Sequence, residues 1–389
     1  MRGLMIAPHV FFSQRGTPYS AFLKLKALSG SGLKLDLATY PFGDDVKIKG
    51  VRIFRCGKPP FINSVKQGPS LKKLILDMFL AGKIISLMRK ERYDFLYTHE
   101  EMGLFGAMLR RLTGIKLVHE MHSSLPVEIE ERKFSRLRPV VWLFTWIEKV
   151  LARNSDIVVV HCQNLVDIVR RINPSADLVL IENYSDVSIG KASRKKIEGL
   201  RKSLGIRKGE KVVLYTGSFA NVNNLPMLLE AAVIARKRLP QLRLLLVGGE
   251  KHGVKELRDL AGRLGLEGSI ILEKVAPPEL DAFFSLSDAL VSPRFSGINI
   301  PFKIFSYLES GIPIVAPRSV LYNSFLDESC AVLTEPTREG LAEGMLAAAT
   351  DIKLRKRMTR GAKKRAGRYS YKNYISNIRR LKQKIDGWK

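Results

Sequence analysis

Short, almost wholly apolar runs recur along the chain, and longer stretches of helical period separate them. In the first half the runs are Leu4–Ala7, Lys34–Thr39, Val51–Phe54, Phe95–Thr98, Lys116–His119, Asp156–Val160 and Leu178–Ile181. Between them lie basic amphipathic stretches, notably Leu71–Arg89 and Leu137–Arg153. The second half repeats the scheme: Val212–Thr216, Leu242–Val247, Ile270–Leu272, Ala289–Val291, Ile314–Ala316 and Val332–Leu333 alternate with helical stretches such as Leu225–Arg238 and Val254–Leu264. A strand that is apolar on both faces belongs in a parallel sheet covered by helices, so the pattern predicts an α/β protein of two doubly wound units. Asn183, Tyr184, Ser185, Asp186 and Gly190 interrupt the pattern between Glu182 and Ala192, where the seam is expected. Ligands of such sheets sit at the carboxyl ends of the strands, so two facing units predict a ligand cleft between them.

Composition changes this picture only through charge. The 65 Lys and Arg against 37 Asp and Glu give a net charge of +28, a field that draws anionic partners: phosphorylated substrates, anionic membrane or nucleic acid. No helix-turn-helix, zinc finger or RNP-type strand occurs, and the cations are spread over both halves, so nucleic acid is not the expected partner. Cys56, Cys162 and Cys330 are too far apart for a disulfide framework or a metal motif, which fits a reducing cytoplasm. The apolar start, broken by Pro8 and His9, reads as a first strand and not as a signal peptide, and no run is long enough to span a membrane.

Three loops carry candidate chemistry. The first strand runs into Pro8–Pro18, where Gly16 suits close approach to a ligand or a plain strand-to-helix turn equally. The segment His119-Glu120-Met121-His122 follows another strand; its two histidines lack the further ligands a zinc site needs, and no metal is expected. The most informative run is Val291–Val315: strand, polar loop, a short helix with Asn299 as its cap and Pro301 in its first turn, a stop at Gly311, then strand. Arg294 before that helix and Lys303 in its first turn are unfavourable beside a positive dipole end unless an anion joins them, so an anion site is expected there.

In these residues the chain resembles the retaining glycosyltransferases of family 4, which have the GT-B fold of two facing Rossmann-like domains. The resemblance covers nearly the whole length and rests on Arg15-Gly16-Thr17-Pro18, on His122 in Glu120–Ser124, on Leu214-Tyr215-Thr216-Gly217-Ser218, and on Ser292-Pro293-Arg294 through Gly311–Val315. It implies an acceptor domain at 1–185, a nucleotide-sugar domain at 186–368, and a C-terminal helix, Tyr369–Lys384, crossing back so that 369–389 joins the first domain. It also implies transfer of a sugar from a nucleoside diphosphate to an acceptor hydroxyl with retention, without cofactor or metal. Gly16 would approach the donor phosphate or sugar and His122 the sugar, with Gly217, Ser218, Gly297, Asn299 and Ser306 at the donor. The family usually has Arg and Lys where this chain has Ser218 and Asn223, and paired glutamates where it has Ile298 and Ser306. The expected reassignment gives the leaving diphosphate to Arg294 and Lys303 and a ribose hydroxyl to Ser306. A noncatalytic sugar- or nucleotide-binding protein of the same fold is the alternative that the missing glutamates raise, with a basic nucleic-acid-binding protein behind it.

From Asp351 to Lys389 fifteen Lys or Arg face only two Asp, and cations beside aromatic groups recur at Leu71–Lys90 and Arg136–Trp146. This is the composition of interfacial segments. It predicts a cytoplasmic enzyme, peripheral on the inner membrane face, with a lipid-linked acceptor or a cell-envelope glycan under assembly.

Overall fold

The structure, a computed structural model, describes residues 1–13, 16–65, 70–124, 126–127, 138–185, 187 and 189–388. Its contacts divide the chain into two compact units, Met1–Asn183 with Lys372–Lys389, and Tyr184–Tyr371.

The first unit is a seven-stranded parallel sheet in the order β3-β2-β1-β4-β5-β6-β7. Its strands are β1 (Arg2–Ala7), β2 (Lys34–Thr39), β3 (Val51–Arg55), β4 (Phe95–His99), β5 (Lys116–Met121), β6 (Ile157–Val160) and β7 (Leu178–Leu180). Helices α1 (Gly16–Gly30), α2 (Leu71–Lys90), α3 (Met102–Thr113), α4 (Arg138–Asn154) and α5 (Gln163–Ile172) connect them. One core packs Leu76, Leu80, Ile84 and Leu87 of α2 and Leu109 of α3 against Leu4, Ile6, Leu96 and Leu117 of the sheet. Each such leucine contributes roughly 1.5–3 kcal/mol of burial.

The second unit opens with α6 (Arg194–Ser203) and has a six-stranded parallel sheet in the order β10-β9-β8-β11-β12-β13. The strands are β8 (Lys211–Thr216), β9 (Leu242–Gly249), β10 (Ile270–Glu273), β11 (Ala289–Val291), β12 (Ile314–Pro317) and β13 (Ala331–Thr334). Helices α7 (Leu225–Arg238), α8 (Lys251–Arg263), α9 (Pro277–Leu286), α10 (Lys303–Ser310), α11 (Val320–Asn323), α12 (Arg338–Thr350) and α13 (Ile352–Arg368) cover it. The chain then turns at Tyr369, whose ring packs on Phe325 at 4.3 Å, and α14 (Tyr371–Asp386) follows. Tyr374, Ile378, Leu381 and Ile385 of α14 are buried, Lys384 pairs with Asp177 at 2.6 Å, and Trp388 packs edge-on to Phe95.

Three aspartates begin the sheets in the same way. Asp94, Asp156 and Asp288 each stand just before a strand and accept the first or second amide of its neighbour, from Arg2 (2.6 Å), Leu117 (2.9 Å) and Val212 (3.0 Å). β6 starts at Ile157 and not at Asp156, whose carboxylate caps β5 and takes Arg110 and Lys116 as well. In both sheets the strand order reverses, at β1/β4 and at β8/β11, and open α/β sheets bind ligands at the carboxyl ends beside such points.

Candidate functional site

In the first unit the carboxyl ends of β1, β4, β5 and β6 bring together His9, His99, Glu120, His122 and His161, every one of them buried or nearly so. Glu120 is the hub. One of its oxygens lies 2.7 Å from the Lys24 ammonium, 2.9 Å from His161 Nε2 and 3.1 Å from His122 Nε2; Tyr97 donates its hydroxyl to the other. His122 Nε2 also lies 2.7 Å from His99 Nδ1, and the rings of His99, His122 and His161 stack in series at 5.0 and 4.5 Å. Burial alone would raise the Glu120 carboxyl, but Lys24, then His99 and His122, hold it well below the usual carboxylate range. The imidazoles move the same way for a different reason: burial pushes His9 down to about 4, His99 to about 3 and His122 well below its ordinary value. Burial lowers Lys24 as well, against the pull of Glu120, and it biases the rings toward the neutral form, in which each can both give and take a hydrogen bond.

His122 stands immediately after β5, as its place in the sequence predicts, and His119 lies inside the strand. The His119 ring turns toward α3, 3.2 Å from Thr98 Oγ1, against a helix face where Gly103 has no room for a side chain. Two sets, His9 with His99 and His122, and Glu120 with His122 and His161, bring three ligand atoms within 4.8 Å of one another, the reach of a single ion. Both sets share His122, and the Glu120 oxygen already faces Lys24. Gly16 is the exposed first residue of α1, with φ 45° and open space around it; Arg15 lies outside the described residues.

In the second unit, β8 ends at Thr216, whose amide donates to the Tyr307 hydroxyl of α10, and runs into Gly217 and Ser218, with Gly217 beside Lys303 at the start of that helix. Lys303 folds its ammonium 3.7 Å from the centre of the Tyr215 ring, and among the described residues that enclosed nitrogen has no hydrogen-bond partner. Burial, then Arg294, hold the Lys303 ammonium well below its usual range. Gly217 has φ 128°, and a Cβ there would stand 3.2 Å from the Lys303 nitrogen, so a side chain would meet the ammonium. Arg294 donates Nε to the Ser296 carbonyl at 2.7 Å and wraps its guanidinium over Gly297, where a Cβ would come within 2.1 Å of it. Ser218 and Asn223, standing where cations were expected by analogy, bond to each other: the Asn223 amide donates to the Ser218 carbonyl at 2.9 Å and to its hydroxyl at 3.2 Å.

Two expectations for this loop change. Asn299 does not cap the helix: Ile304 N bonds to Pro301 O (2.9 Å) and Phe305 N to Phe302 O (3.2 Å), so the tight turn at Pro301-Phe302 moves the start to Lys303. Asn299 Oδ1 is instead buried, without a partner among the described residues. Ser306 is buried one turn into the helix and accepts from the Ser185 hydroxyl at 3.2 Å. Gly311 ends the helix in the left-handed conformation, as predicted.

The family profile described as Glycosyltransferase Family 4 matches residues 23–188, and that described as Glycosyl transferases group 1 matches residues 196–365. The chain belongs to glycosyltransferase family 4. It is a glycosyltransferase of GT-B fold, 24% identical to the D-inositol 3-phosphate glycosyltransferase of Corynebacterium urealyticum over 97% of this chain and 94% of that one. The enzyme of the same name from Pseudarthrobacter chlorophenolicus is 28% identical, over 58% of this chain and 55% of its own. In fold the glycosyltransferase is similar to the sucrose-phosphate synthase of Thermosynechococcus elongatus, with TM-score 0.82 at 18% identity over 100% of both chains. It is also similar to Anabaena Alr3699/HepE in complex with UDP-glucose, with TM-score 0.74 at 19% identity over 98% of this chain and 99% of that one.

Proposed function

We propose that this glycosyltransferase moves a sugar from a nucleoside-diphosphate donor to an acceptor hydroxyl with retention at the anomeric carbon. The observation that carries the reading is Lys303: an enclosed ammonium without a hydrogen-bond partner among the described residues, beside a second cation, Arg294, at the amino end of a helix. Such a group is costly to bury unless an anion completes it, and a diphosphate supplies that anion together with the free amides of the helix end. The UDP-glucose bound by the Anabaena neighbour supports the same ligand class.

Charge grows on the diphosphate as its bond to the sugar breaks. Lys303, Arg294 and the start of α10 would stabilise that charge in place, by preorganised electrostatics and without a metal. Gly217 leaves room for the ammonium, and Gly297, Asn299, Ser218 and Ser306 line the donor side. His122, neutral and fixed by Glu120, would orient the sugar through a hydrogen bond, with Gly16 at the donor's phosphate or sugar. The acceptor would be lipid-linked or a cell-envelope glycan under assembly, reached from the cytoplasmic membrane face; a fold neighbour, WaaG, is a glycosyltransferase involved in lipopolysaccharide biosynthesis. The mutual bonding of Ser218 and Asn223 favours one other reading, a sugar-nucleotide binder without turnover.

The test is a panel of nucleoside diphosphates and their sugars. A true donor at a hundred times its dissociation constant stabilises the chain by about 2.7 kcal/mol. Slow hydrolysis of that donor, or transfer to a polyol, read by the anomeric proton coupling of the product, should show the donor's own configuration. Inversion would overturn the mechanism, and binding without turnover would favour the sugar-nucleotide binder.

A further inference from the structure

Helix α2 is apolar on two opposite faces. Leu76, Leu80, Ile84 and Leu87 point into the core, yet on the far side Leu71 is 74% exposed and Met78 68%. A helix that serves only a core is polar on its outer face, so this one has an apolar surface left over. The neighbours on the same side of the sheet repeat the feature. Leu112 of α3 is 73% exposed, and Trp142 and Trp146 of α4, one turn apart, stand outward. The helices are tied together: Lys73 of α2 pairs with Glu100 and Glu101 at the start of α3, and α3 packs on α4.

The charges of these helices have one sign. They carry ten Lys or Arg, and their two carboxylates are spoken for: Asp77 accepts from Tyr40 and Glu148 is buried. Lys72, Arg89, Lys90, Arg111, Lys149 and Arg153 are exposed around the apolar side chains.

We infer that this outward face of α2, α3 and α4 inserts into the headgroup boundary of an anionic bilayer. The inference deepens the membrane reading proposed above and rests on it: it names the face and the mode of attachment. Large apolar side chains with tryptophans and a rim of cations are what an interfacial surface requires, the stems of Lys and Arg lying along the acyl boundary while their heads reach lipid phosphates. A second copy of the chain fits less well, because a two-fold contact through this face would set its unneutralised cations against their equivalents.

The test uses the full chain with Trp388→Phe, which leaves Trp142 and Trp146 as its tryptophans. With vesicles of phosphatidylglycerol and phosphatidylcholine carrying brominated acyl chains, their emission should shift to the blue and be quenched. Met78→Asp with Leu112→Asp should lower partitioning at least tenfold while the thermal midpoint and turnover of a soluble donor stay unchanged. Unquenched tryptophans in protein that still sediments with anionic vesicles would overturn the face and leave the membrane reading standing, carried by cations such as Lys356, Arg360 and Lys364 of α13. Failure to sediment with any vesicle, with donor turnover intact, would overturn both. A lipid-independent dimer that the double variant dissolves would assign the face to a second copy.

Discussion

The Lys303 ammonium rests 3.7 Å from the centre of the Tyr215 ring and has no hydrogen-bond partner among the described residues. A ring face is a weak substitute for the water this group has lost, which is why its proton is loosely held until an anion arrives. Binding of a nucleoside diphosphate should therefore raise the Lys303 pKa and be accompanied by proton uptake. Calorimetry in buffers of different ionisation enthalpy reads this directly, and Lys303→Met should abolish the uptake.

The same placement predicts that Lys303→Ala and Arg294→Ala each lower turnover at least a hundredfold, about 2.7 kcal/mol or more of transition-state stabilisation, with unchanged melting behaviour. Near-normal rates in both would remove the second unit's cations from the mechanism.

For the histidines the expected order is that His122→Ala loses more activity than His119→Ala. His122 leaves the strand end held by Glu120, whereas His119 is turned toward Thr98 and α3. Steady-state rates of the two variants decide it, and the reverse order would move the site.

Activity should persist in excess EDTA, since the leaving diphosphate is met by side chains and a helix end. Loss of activity that added zinc restores would instead place an ion on the His122 sets.

Acid should unfold the first unit early. His9 and His119 are pushed down to about 4 and His99 to about 3, against an ordinary value of 6.5. Below pH 6.5 the unfolded chain binds protons that the folded array refuses, so stability falls as pH drops from 6.5 toward 4. Each such imidazole adds about 1.4 kcal/mol per pH unit through that window. Urea midpoints that stay flat between pH 6.5 and 4.5 would contradict the array.

The alternation of strands and helices was legible because parallel strands, apolar on both faces, survive as unbroken runs in the sequence. The build of the segment proposed to hold the anion was legible for a related reason: Arg294 through Gly311 is one continuous stretch, and local rules govern its turn, helix and stop. They failed at Asn299 and Pro301, where the turn at Pro301-Phe302 takes precedence over a side-chain cap and delays the helix to Lys303. The array around Glu120 was not legible, because its members come from four strands and a helix and meet only through sheet order. Lys24, on the buried side of α1 among leucines, carries no local mark of its partner. A cue existed: five of the six histidines fall within two residues of the carboxyl end of a strand or loop entry. Ser218 and Asn223 show the converse, since only their geometry reveals that the two substitutions form one bonded pair.

Helix α14 has a consequence for how the molecule is made. The unit it completes begins at Met1, yet its last helix is synthesised only after the whole of Tyr184–Tyr371. Until that helix is made the first unit lacks Tyr374, Ile378 and Leu381, and Asp177 lacks Lys384. A chain cut before Tyr371 would keep every element of the second unit and leave the first without its last helix, so the older half of the polypeptide depends on the youngest residues to finish its core.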